Sequence, residues 1–109
     1  MKLVLSGCVF ELIENSSGHA AEKTIMSFSP NLEICSAIYS GPNIEFGQVL
    51  VSDDCMLYHA LDKAGKLAAG QAKISIQQDD SNDVFMKLEW SWLSSDSSSG
   101  ESLWKLVKC

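Results

Sequence analysis

Cys55 and His59, four residues apart, are the pair of reactive side chains whose spacing best suits chemistry. On a helix they stand one turn apart on one face, with the thiol near an electropositive N-terminus, as in a thiolate–imidazole pair or half of a metal site. On a strand they share a face but lie about 13 Å apart, too far for proton transfer. The simpler reading is a buried cysteine followed by an unrelated histidine. The other histidine, His19, falls in a Ser16-Ser17-Gly18 loop, where solvation is the ordinary outcome. Two histidines 40 positions apart, with no cluster of acids beside them, do not supply a three- or four-ligand metal site.

The other polar groups read as turns. Asp53-Asp54 and Asp79-Asp80, with Asp83 after the second pair, are adjacent carboxylates in turn contexts, not two groups facing each other across a cleft. The 79–83 segment lacks the glycine and terminal glutamate of a calcium loop. No phosphate-binding glycine motif and no GxSxG elbow is present. The expectation is a protein without catalytic activity, metal or cofactor.

Trp90, Trp92 and Trp104 remain as candidates for ligand or partner binding. Residues 84–93 alternate apolar and polar side chains, the signature of a half-buried antiparallel strand, with Val84, Met86, Leu88, Trp90 and Trp92 on one face. A serine-rich loop follows, and 102–108 returns. Pairing Trp92 with Trp104 puts Leu106 opposite Trp90 and gathers all three tryptophans at one corner, which is either core or pocket.

Turn signals recur about every ten residues along the chain, the cadence of an antiparallel sandwich or barrel. They delimit strands at 2–14, 23–28, 32–39, 44–51, 55–61, 67–77, 84–93 and 102–108, with Leu12 facing Met26 and Phe10 facing Phe28 in the first hairpin. The fold class is mainly β: one domain over 1–109, an antiparallel meander of seven or eight short strands forming a small barrel or sandwich. Residues 52–70 carry a second reading. Ser52 as N-cap, Asp53 and Asp54 in the first turn and a stripe of Leu57, Leu61, Ala64 and Ala68 describe a helix near 53–66, which makes the fold α+β. Gly65 inside that helix costs about 1 kcal/mol, whereas as the left-handed residue of a hairpin turn it costs nothing, so the β reading is preferred.

Composition narrows the function. Fourteen acidic residues against eight basic ones give a net charge of −6, and every basic residue is lysine. Without arginine or a basic stripe, nucleic-acid binding is not expected; an acidic surface suits solubility or docking to a basic protein partner. Leu5-Ser6-Gly7-Cys8 matches a lipoprotein box, but the seven residues before Cys8 are too few for a charged region and an apolar stretch, so a first strand is expected there. Cys8, Cys35, Cys55 and Cys109 are spaced too widely for a metal knuckle, and the expectation is four free thiols in a reducing cytoplasm, away from membranes. The function read from this is a small acidic binding protein of inhibitor, immunity or adaptor type, acting through protein contacts. The alternative is a small-ligand carrier, a barrel whose tryptophans line a cavity and whose Ala68, Gly70 and Ala72 leave room for the ligand.

Overall fold

The computed structural model describes residues 5–16, 24–30, 35–41, 44–52, 54–93 and 99–109. Eight strands run in chain order: β1 (Val9–Asn15), β2 (Ile25–Phe28), β3 (Cys35–Ser40), β4 (Ile44–Ser52), β5 (Cys55–Asp62), β6 (Leu67–Gln78), β7 (Val84–Trp92) and β8 (Ser99–Lys108). Each pairs antiparallel with the next, and β8 returns to pair with β1, which closes the sheet into a barrel. The mainly-β expectation is met, as a barrel and not a sandwich.

Period-2 patterning builds the wall. Met56, Tyr58 and Ala60 of β5 point inward and are buried, while Cys55, Leu57 and His59 point outward and are exposed. The helix near 53–66 is not formed. Its stripe divides instead, with Leu57 on the outer face of β5 and Ala68 on the inner face of β6. The turn between these strands holds Gly65 at φ 86°, and the Asp62 carboxylate accepts the Lys66 backbone N–H at 2.8 Å. The alternation buries three apolar side chains of β5 in a row, and the local helix signals lose to that gain.

One end of the barrel is filled. Leu5, Phe10, Phe28, Val51, Ile74 and Met86 belong to the buried core, and the Phe10 and Phe28 rings meet edge to face with centroids 6.0 Å apart. The first strand is shorter than expected. Residues 5–8 turn instead of extending, with the Cys8 N–H donating to the Leu5 carbonyl and Gly7 at φ 75°, which folds Leu5 into the core. Ile13 of β1 points outward and is exposed.

Two registers differ from expectation, each by an even number of residues, so every side chain keeps its face. Phe10 lies opposite Met26, and Phe28 reaches Phe10 diagonally. In the last hairpin Trp90 lies opposite Gly100, and Trp104 opposite Met86. A Cβ at Gly100 would stand 2.6 Å from the Trp90 ring, so glycine makes the seat for this indole, which a residue the size of Leu106 does not. The acidic turn at 79–83 is organised by Asp79, whose carboxylate accepts the backbone N–H groups of Ser81 and Asp83, each at 3.0 Å. These are turn-forming carboxylates, as the sequence implies.

Closure of the barrel overturns the expectation of four free thiols. The β1–β8 ladder pairs Val9 with Lys108, which brings the flanking Cys8 and Cys109 together, and they form a disulfide across a sequence separation of 101. Cys55 is free and exposed. A cross-link over so long a loop restricts the unfolded chain strongly, and its removal costs about 2–4 kcal/mol. Peptide mapping without reduction is expected to recover a Cys8–Cys109 linked peptide. Cys109→Ser is expected to lower the thermal midpoint by several degrees, and a midpoint equal to that of the oxidised parent would contradict this account.

Candidate functional site

Above the filled end the barrel interior holds a cavity of about 550 Å³. It extends toward the end where β5 turns into β6, with Asp62 and Lys66 among its lining residues. Its walls are mainly apolar: Leu12, Met26, Val49, Met56 and Leu88 contribute aliphatic surface, while Tyr58, Trp90, Trp92 and Trp104 contribute rings. The three tryptophans singled out in the sequence therefore face one space. They arrive there from β7 and β8, because the alternation of each strand turns its even-numbered residues inward.

The rings are held in different ways. Trp104 is buried, and its indole N–H donates to the Ser102 hydroxyl at 2.9 Å. Trp92 meets Tyr58 edge to face, centroids 4.7 Å apart. The Tyr58 hydroxyl lies 2.9 Å from the Ser91 carbonyl and 3.1 Å from the Gln71 carbonyl, so the ring is tied to the wall between β6 and β7. Trp90 lies over Gly100, and its indole N–H is buried without a hydrogen-bond partner among the described residues. The Thr24 hydroxyl, also among the lining residues, is in the same condition. A buried polar atom left unpaired costs about 1–3 kcal/mol, so two of them around one cavity call for a reason.

Among the small residues of β6, Ala68 lines the cavity as expected, whereas Gly70 and Ala72 serve differently. A Cβ on Gly70 would stand 2.7 Å from the Tyr58 ring and 2.3 Å from the Ser91 carbonyl oxygen; the gap at Gly70 is occupied by Tyr58. Ala72 is part of the packed core, opposite Trp90. Tyr58 is the lining residue that sequence reasoning passed over. It sits inside the 52–70 stretch, and only the Met56, Tyr58, Ala60 alternation marks it as inward.

Cys55 and His59 are not brought together with this site. Both lie on the outer face of β5, on a strand, where the Cys55 thiol is 3.6 Å from the Asp54 carboxylate and the His59 ring packs beside Phe46 with centroids 6.2 Å apart. His19 and Asp53 lie outside the described residues. Among the described residues no three His, Cys, Asp or Glu side chains are grouped to hold a metal ion, and no helix is long and apolar enough to cross a membrane.

The close approach at Gly70 makes a sharp test of the wall. Gly70→Ala is expected to destabilise the barrel by about 1–3 kcal/mol through overpacking, and to shift the near-ultraviolet dichroism of the Tyr58–Trp92 pair. An unchanged stability and spectrum would mean that Tyr58 does not lie in that notch.

What the geometry offers, among the described residues, is an apolar, ring-lined interior of small-molecule size whose lining residues include Trp90 and Thr24. No curated protein and no solved structure matches the chain. A family comparison does: residues 3–106 match the family described as avidin-like protein. With nearly the whole chain matched and a small mainly-β barrel to carry it, this protein belongs to the avidin-like family, a family of binding proteins rather than enzymes.

Proposed function

We propose that this protein binds one small, largely apolar molecule inside the barrel, with an acceptor atom of the ligand taking the Trp90 indole N–H. The observation that carries the reading is the cavity of about 550 Å³, which falls within the roughly 300–1,000 Å³ typical of small-molecule sites. Its lining has the usual composition of such sites, apolar and aromatic walls with a few polar groups that fix orientation. The Trp90 N–H suits this role, because it is buried with no partner among the described residues and a ligand acceptor that reaches it adds a full hydrogen bond. The Thr24 hydroxyl supplies a second polar contact on the β2 side. Of the two functions drawn from the sequence, the family and the cavity support the small-ligand carrier over the inhibitor or adaptor, and the protein acts by binding alone.

The experiment is a titration of the intrinsic tryptophan emission with anilinonaphthalene sulfonate, an apolar dye that carries acceptor oxygens. Saturable binding of one dye per chain, with quenching of the tryptophans, is expected. Ala68→Phe, which fills the cavity from β6, is expected to abolish binding while the chain stays folded. Trp90→Phe keeps an aromatic ring but removes the N–H together with the five-membered half of the indole, so its affinity is expected to fall about 2- to 10-fold, with the lost packing partly offset in stability by removal of the unpaired donor. A folded parent without saturable binding would overturn the carrier reading, and a Trp90→Phe variant of undiminished affinity would overturn the role of the indole.

A further inference from the structure

The ladder between β1 and β8 is interrupted near its end. Leu12 lies opposite Trp104 and Glu14 opposite Leu103, so Ile13 is an extra residue on β1 and the strand bulges there. The bulge breaks the alternation and turns two consecutive side chains, Ile13 and Glu14, outward, where both are exposed. Beside them the outer wall holds a cleft of about 600 Å³, to which β8 contributes Glu101 and Leu103, β7 Lys87 and β6 Gln77. The Asn15–Ser102 rung borders both this cleft and the interior cavity, but Glu14, Lys87 and Glu101 belong to the cleft alone. Their charges do not cancel. The Lys87 ammonium is 3.6 Å from the Glu101 carboxylate, so these two neutralise each other. Glu14 has no ion-pair partner among the described residues, and Glu89, opposite Glu101 in the ladder, adds a further carboxylate at the margin.

We propose that this cleft is a second binding site, which takes a primary aliphatic amine, its ammonium on Glu14 and its carbon chain against Ile13 and Leu103. The sign of the unanswered charge is the first argument. It is negative, in a chain of net charge −6 whose field draws cations toward it, and a carboxylate accepts an ammonium N–H in a charge-assisted hydrogen bond. The second is what the lining lacks. It holds no tryptophan, tyrosine or phenylalanine, so the aromatic cage that suits a quaternary ammonium is missing. Position is the third. Ile13 precedes Glu14 in the chain and Leu103 lies opposite it, so an ammonium bound there sets its carbon chain on aliphatic surface. The site lies outside the barrel and takes a cation, so it is distinct from the interior cavity and does not depend on the carrier reading.

Titration of the full chain with hexylamine, followed by backbone ¹H–¹⁵N correlation spectra, tests the proposal. Saturable shifts are expected at residues 13–16 and 101–103, half complete at or below about 5 mM, and 1-hexanol is expected not to produce them. Glu14→Gln, at an exposed position, is expected to keep the fold and weaken binding at least about 5-fold. Lys87→Met is expected to act in the opposite direction, tightening binding about 2- to 5-fold, because it releases the Glu101 carboxylate to the ammonium. Glu45→Gln removes the same charge from β4, outside the cleft, and Ala68→Phe fills the interior; both are expected to leave the affinity unchanged. The same ammonium head is carried by a free alkylamine and by a lysine side chain. Weaker binding of Nα-acetyl-lysine methylamide than of hexylamine assigns the site to free amines, and tighter binding assigns it to lysine in a peptide. No saturable shift up to about 50 mM, shifts spread evenly over the surface carboxylates, or a Glu14→Gln variant of undiminished affinity would each overturn the proposal. So would loss of binding in Ala68→Phe, which would place the amine in the interior.

Discussion

Everything in this molecule depends on the pairing of its first strand with its last. Until β8 hydrogen-bonds to β1, the chain is a meander with two bare edges, and its apolar face has nothing to enclose. Once Phe10 lies opposite Leu106 and Leu12 opposite Trp104, inside and outside are defined for all eight strands at once, because side chains alternate with period two along each. The same contact carries the Cys8–Cys109 disulfide, which fastens the two ends of the chain at the seam. The covalent bond joins the residues that flank the β1–β8 ladder.

Closure fixes an interior volume, and the side chains decide how much of it stays empty. At one end Leu5, Phe10, Phe28, Val51 and Met86 fill it. Toward the other, two glycines of the wall accept rings that would otherwise occupy the interior: Tyr58 lies in the notch at Gly70, and Trp90 lies over Gly100. Drawing these large side chains against the wall, with Ala60 and Ala68 nearby, leaves a cavity bordered by aromatic faces. The arrangement leaves the Trp90 N–H and the Thr24 hydroxyl without hydrogen-bond partners among the described residues, a cost of about 1–3 kcal/mol each.

The outer wall shows a second division of labour. Strands β7, β8 and β1 carry charges of both signs on their outward faces, while β4 and β5 present mainly aliphatic and uncharged polar side chains, with Glu45 as an exposed charge on β4. Neither half is dictated by the interior, because outward residues do not touch the core. The contrast is a feature of the sequence that folding alone does not require.

The strands, their facing and the hairpin turns were legible in the sequence. Period-2 alternation at 84–92 and 55–62 is local, and Gly65 marks its turn because only the left-handed conformation suits it there. That Trp90, Trp92 and Trp104 share one face also followed from alternation, which survives any register shift of even length. The tertiary structure alone decided which residues stand opposite one another, since Trp90 pairs with Gly100 by virtue of ring size and the geometry of closure. It also decided that Cys8 meets Cys109: their separation of 101 residues says nothing until the first and last strands adjoin. The cavity likewise belongs to the closed barrel, because empty volume is set by side chains from several strands at once, and no single strand's pattern encodes a space that lies between them.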